Sequence, residues 1–201
     1  MKFYQIVFSL FVLILLYGCA SPPIRPVDIS IPAHERETEL SNVSNWKIKG
    51  KIAFITPDSR ESANLNWQKS QDEQNLNVTT TLGISVFSIR SEQQIHSILV
   101  DGKKYEGTDL DHLLTRVTGY QLPVGALENW LKGVHFSNSD KFSYDEVTHL
   151  PKNLKTEYLG HKWLVEYKNY GMIDKHALAY SLKIKRDGLT ILLKINQWEI
   201  L

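Results

Sequence analysis

From residue 45 onward, apolar and polar side chains alternate with period two over most of the chain. Trp46, Ile48, Ile52 and Phe54 interleave with Lys47, Lys49 and Lys51; Ala63, Leu65 and Trp67 with Asn64, Asn66 and Gln68; Leu76 and Val78 with Asn77 and Thr79. Successive side chains of a strand point to opposite faces, so the pattern predicts half-buried antiparallel strands, one face dry and one wet. Similar stretches fall at 84–90, 94–100, 103–106, 141–149, 153–159, 162–168, 178–186 and 189–198. Asp101-Gly102 and Asp187-Gly188 read as tight hairpin turns.

Elsewhere the spacing changes to three and four. Residues 33–43, with Glu35, Arg36, Glu37 and Glu39, predict a short amphipathic helix. Thr108-Asp109 can cap a helix whose Leu110, Leu113, Leu114 and Val117 form one apolar stripe, and Gly119 is well placed to end it. A further helix starts near Pro123, carries Leu127, Trp130 and Leu131, and stops at Gly133. About ten or eleven strands with two or three short helices predict a mainly β fold. The expected architecture is a curved antiparallel sheet, or an open, incomplete barrel, with helices on its concave side.

The first nineteen residues are of another kind. After Met1-Lys2, residues 3–17 are apolar except for Gln5 and Ser9, a signal-peptide core in composition and length. The run is shorter than the roughly 20 residues of a spanning helix, and Ser21-Pro22-Pro23 cannot continue it. Leu16-Tyr17-Gly18-Cys19 resembles a bacterial lipobox, although Tyr17 is larger than that pattern prefers. The resemblance implies cleavage after a signal peptide at 1–18, with a diacylglycerol thioether and an N-acyl chain on Cys19. An uncleaved anchor, or a secretory signal with a chance cysteine, would show the same apolar run. Ala20, rather than Asp, follows the cysteine; in similar Gram-negative lipoproteins this favours the outer membrane. Residues 19–32, with four prolines from Ser21 on, read as an extended lipidated tether. One domain, 33–201, then stands on the periplasmic side.

Composition chiefly excludes. Lys and Arg total 23 against 22 Asp and Glu, and losing Lys2 with the signal peptide brings the mature chain to zero, which makes nucleic acid a poor partner. One cysteine cannot form an internal disulfide, a thiolate zinc site or a redox pair. The seven histidines show no metal-ligand spacing, and no Walker loop or dinucleotide fingerprint is present, so neither a cofactor nor a metal is expected. Gly83-Ile84-Ser85-Val86-Phe87 lacks the second glycine of a nucleophile elbow. Asp109, Asp111 and His112 read as an acidic first helical turn rather than a catalytic group.

Two features remain open on patterning alone. Most of the aromatics beyond residue 40, including all five tryptophans, fall on the apolar side of their elements. A filled core and a hollow, lipid-sized one would both look like this. Thr79-Thr80-Thr81-Leu82-Gly83-Ile84 places a single leucine where a polar hairpin tip is expected. Exposed leucines are common, but one on the loop of a membrane-tethered domain could also dip into lipid.

Taken together, the mature chain resembles the LolB family of outer-membrane lipoproteins. The resemblance rests on the lipobox, on Trp46-Lys47-Ile48-Lys49-Gly50-Lys51-Ile52-Ala53-Phe54 followed by Trp67-Gln68, and on Leu82-Gly83 at a loop. It continues through Thr118-Gly119-Tyr120-Gln121-Leu122-Pro123, Leu127, Trp130-Leu131 and Gly133 to the closing Ile195–Trp198. It implies an open barrel lidded by helices around a hydrophobic cavity, and a monomer that is not an enzyme. Such a protein takes acylated lipoproteins from the periplasmic carrier LolA and places them in the outer membrane without nucleotide hydrolysis. Leu82 and Gly83 match the family's membrane-insertion loop, with Thr81 where familiar members have proline. Acyl chains would be lined by Ile48, Ile52, Phe54, Leu65, Trp67, Leu76, Val78, Phe87, Ile89, Leu127 and Trp130. The alternative is an envelope-assembly module with a packed core, acting through its outer surface.

Overall fold

The computed structural model describes residues 32–201; the expected signal peptide at 1–18, Cys19 and all of the expected tether but Pro32 lie outside the described residues. Helix α1 (Ala33–Ser41) precedes a run of strands: β1 (Asn45–Ile55), β2 (Arg60–Ser70), β3 (Glu73–Thr79), β4 (Ser85–Glu92), β5 (Ile95–Val100) and β6 (Lys103–Gly107). Two helices, α2 (Leu110–Thr118) and α3 (Val124–Lys132), follow. The chain returns through β7 (Lys141–Tyr144), β8 (Pro151–Tyr158), β9 (His161–Ile173), β10 (His176–Arg186) and β11 (Leu189–Ile200).

All these strands belong to one antiparallel sheet, ordered β6-β5-β4-β3-β2-β1-β11-β10-β9-β8-β7. The first and last strands therefore pair at its centre. The edges, β6 and β7, do not pair with each other, so the barrel stays open. The connection between the two edges carries α2 and α3 across the concave face, where α2 meets β5 and β6 and α3 meets β10.

Alternation decides which face is dry. Trp46, Ile48 and Ile52 of β1 are buried, as are Leu65, Trp67, Leu76, Val78 and Ile89 on its neighbours. Trp46 lies edge-on to Trp67 at 5.0 Å and 5.8 Å from Trp198. In the other half, Trp130 of α3 packs 6.1 Å from Trp163. Gly50 occupies an inward position in β1 where the pairing with β11 shifts register, leaving Asn196 as the extra residue of a bulge. A Cβ at Gly50 would lie 2.2 Å from the Lys194 carbonyl oxygen and 2.9 Å from Ile195 Cα, so only glycine lets these strands approach.

α1 is fastened at the end of the sheet away from the β3–β4 loop. Arg36 is buried and its guanidinium donates to the carbonyls of Lys132 (2.9 Å), Gly133 (3.2 Å) and Ala177 (2.9 Å). The C-terminal end of α3 is thereby tied to α1 and β10. Lys132, also buried, donates to the Val43 carbonyl at 3.1 Å.

Several boundaries differ from the periodicity. The strand expected at 141–149 ends at Tyr144, because Asp145 Oδ1 accepts the Val147 and Thr148 N–H groups at 3.1 and 2.9 Å and turns the chain. The strands expected at 162–168 and 178–186 continue to Ile173 and begin at His176, joined at Asp174 with φ 52°. Residues 176–179 are all buried, so no alternation marks that stretch. The helix expected over 33–43 ends at Ser41.

Candidate functional site

Between the concave face and the helices lies a cavity of about 30 Å³ whose lining is wholly apolar. Nine of the eleven residues expected to line an interior border it: Ile52, Phe54, Leu65, Trp67, Leu76, Val78, Phe87, Ile89 and Leu127. Ile48 and Trp130 do not; both sit in the packed core beyond it, with no exposed surface. Leu114, Leu122, Pro123 and Val124 of the helical segment, and Ile191 and Leu193 of β11, complete the wall. Sequence reading passed over these six. In the sequence pattern Leu114 falls in the α2 stripe, Leu122-Pro123 closes the Thr118–Pro123 motif at a helix start and nothing marks Val124, while the pairing that brings β11 beside β1 leaves no local signal.

A volume of about 30 Å³ is far below the roughly 300–1,000 Å³ of ligand pockets. The interior is thus nearly filled by its own side chains. Helices α2 and α3 and the elbow between them cover this interior as a lid.

How the lid is held therefore matters. Asp109 caps α2 by accepting the His112 N–H at 2.9 Å, and Gly119 ends the helix at φ 75°. Asp111, whose place in a first helical turn already suits an acid, does more. Its carboxylate accepts the Gly125 N–H at 3.2 Å and the Tyr158 hydroxyl, joining α2, α3 and β8. Burial, reinforced by the bond to Asp111, pushes the Tyr158 hydroxyl well above its ordinary pKa, so it remains a donor. Gln121, in the elbow between the lid helices, meets His161 at the start of β9. One end of α3 is thus anchored through the buried Arg36, and the elbow end by these smaller polar contacts. Tyr158→Phe removes one of them without adding bulk. It should speed amide exchange at Gly125 and the 119–123 elbow roughly fivefold or more, as expected for a lost bond of about 1 kcal/mol; unchanged protection there would mean that the contact does not hold the lid.

The β3–β4 loop lies at the elbow end. Thr80 organises it: its N–H donates to the Ile84 carbonyl (2.8 Å), its carbonyl accepts the Gly83 N–H (2.9 Å) and Asn64 Nδ2 (3.0 Å), and its hydroxyl accepts the Ile84 N–H (3.2 Å). Gly83 supplies φ 82°. Leu82 stands at the tip, 87% exposed. Ile84 is 64% exposed, and Val86, the extra residue where β3–β4 pairing shifts register, points outward beside it. The sequence marks Leu82 and Gly83 but not Ile84 and Val86, which sit in strand pattern where a bulge leaves no signal.

An open antiparallel sheet closed over an apolar interior by helices is a fold shared with solved structures. A LolA superfamily protein of Nitrosomonas europaea aligns with 86% of this chain and 94% of its own, with a TM-score of 0.53 at 8% identity. A DUF1329 family protein of Desulfovibrio piger aligns with 84% of this chain and 90% of its own, with a TM-score of 0.56 at 5% identity. These likenesses concern the fold alone.

The sequence is more specific. The family model described as "Outer membrane lipoprotein LolB" matches residues 44–198. Relatives named outer-membrane lipoprotein LolB include one from Pseudoalteromonas translucida, 33% identical over 81% of this chain and 80% of its own. Another, from Tolumonas auensis, is 31% identical over 100% of this chain and 99% of its own, and one from Vibrio cholerae is 31% identical over 94% and 93%. The chain belongs to the LolB family of outer-membrane lipoproteins. Among the described residues no helix is long and apolar enough to cross a membrane.

Proposed function

We propose that this protein, acylated at Cys19, receives acylated lipoproteins from a soluble periplasmic carrier of the LolA type and places them in the inner leaflet of the outer membrane. The observation that carries the reading is the wholly apolar cavity enclosed by the concave face and a lid whose elbow end is held by a few polar contacts. Acyl chains gain about 0.8 kcal/mol for each CH₂ removed from water, so passage through solvent would cost tens of kcal/mol. Direct transfer from one apolar interior to another avoids that cost. The lid swings away, the guest takes the volume the lid side chains vacate, and Leu82 brings the loaded domain to the bilayer. No covalent bond is made or broken, and direction comes from rising affinity at each step, about 1.4 kcal/mol per tenfold.

A second reading has an observation in its favour. An interior with only 30 Å³ free suits a packed module that works through its outer surface. The two diverge in a reconstituted transfer. When a loaded carrier is mixed with this protein and no nucleotide is present, the receptor reading expects the cargo to leave the carrier and bind this chain. Cargo that stays on the carrier under these conditions contradicts that reading.

A further inference from the structure

The back of the sheet carries a concentration of charge that the even total conceals. Ile52 and Leu193 pair across β1 and β11 and border the cavity, so their neighbours Lys51 and Lys194, also directly opposite each other, face away from the lid. Like charges placed opposite one another destabilise a sheet. Lys168 of β9 and Lys183 of β10 join them around an open groove of about 400 Å³. All four side chains are exposed, and none makes an ion pair among the described residues. The one carboxylate lining the groove, Glu166, is engaged by Lys185 at 2.5 Å, a hydrogen bond that holds its pKa below the usual carboxylate range. Since β1 and β11 are the central strands, the groove lies on the spine of the half-barrel, opposite the lid.

We propose that this lysine groove docks on anionic phospholipid headgroups of the membrane that holds the anchor, so that the domain rests on its back with the lid turned outward. The proposal rests on the reading of the chain as a membrane-anchored receptor. A tether keeps headgroups at high effective concentration beside the domain, and lysines near an anionic leaflet are each attracted to it within a Debye length. The opposite face is then free to meet a carrier. The tip cannot supply the same preference for charge. In the hairpin that follows β5, Lys103 and Lys104 are offset by Asp101 and Glu106, with Lys104 and Glu106 paired at 2.6 Å.

The test uses the full acylated chain in phosphatidylcholine vesicles with or without phosphatidylglycerol, and a headgroup-level quencher. Single labels are introduced as Ser62→Cys in the groove, Arg116→Cys on the lid and Thr81→Cys beside Leu82. The groove label should be quenched only when phosphatidylglycerol is present, and high salt should relieve it. Lys51→Gln and Lys194→Gln should each reduce the docked fraction roughly fivefold, while the lid label stays unquenched. Groove quenching that is equal in both lipids, or unchanged when Lys51→Gln and Lys194→Gln are combined, overturns the proposal. So does a poly-glutamate peptide that shields the groove label where phosphatidylglycerol vesicles do not, since the occupant would then be an acidic protein. The Thr81 label reports separately on tip insertion: its loss with groove quenching retained contradicts the loop's role and leaves the groove assignment standing.

Discussion

Leu82→Glu should leave binding of an acylated cargo intact while cutting its delivery to liposomes by at least about tenfold. Full burial of a leucine contributes roughly 1.5–3 kcal/mol, which already corresponds to a factor of ten or more, and a carboxylate at the same place adds a desolvation penalty. The side chain is 87% exposed, and even a Cβ added at the neighbouring Gly83 would meet nothing within 4 Å, so the substitution perturbs no packing. Ile84 and Val86 continue the apolar surface next to the tip. Leu82→Ala should therefore be milder, and Leu82→Glu combined with Ile84→Glu more severe than either alone. Delivery at the normal rate by Leu82→Glu, with receipt measured in the same preparation, removes the tip from the mechanism.

Gly50→Ala should be the most damaging single methyl group in the domain. The new Cβ would meet main-chain atoms of β11 at 2.2 and 2.9 Å, and neither the Lys194 carbonyl oxygen nor Ile195 Cα can rotate away as a side chain would. The strands would have to separate at the sheet's central pair, where the first and last strands of the fold close on each other. A loss of about 4 kcal/mol is expected, at the upper end of single-substitution effects. In urea, with a slope of about 2 kcal/mol per molar, the midpoint should fall by about 2 M. A fall of less than about 0.5 M on the same slope would show that the bulge tolerates a side chain. Gly83→Ala tests a different property: its Cβ meets open space but its φ is 82°, so only the cost of a left-handed residue, about 1 kcal/mol, should appear.

Much of this architecture was legible because period two and period 3.6 differ so plainly. The inward set Trp46, Ile48, Ile52 and Phe54, the Asp109 cap and the Gly119 and Gly133 stops all stand where the pattern implies. Strand order was not legible. Nothing local in β1 or β11 indicates that these strands, from opposite ends of the domain's sequence, are partners; their register depends on the Asn196 bulge and on the close approach at Gly50. The same limit hid Ile191 and Leu193 from the cavity wall. Whether the interior was hollow could not be read either, because a side chain facing a void and one facing a neighbour are equally apolar. Asp111 illustrates a third limit: its place in a first helical turn gave a sufficient local reason for an acid, while its contacts with Gly125 and Tyr158 arise only from tertiary structure.

The central claim is that an interior with 30 Å³ free opens to admit acyl chains. Photo-reactive side chains placed at Phe87 and Ile89, on the cavity wall of β4, test it most directly. Irradiation after transfer of a lipoprotein bearing labelled acyl chains should give adducts at both positions, and Tyr158→Phe, by loosening the lid, should raise their yield or their rate. A folded protein that receives cargo yet gives no adduct at either position would contradict the account and leave a packed core acting through its outer surface.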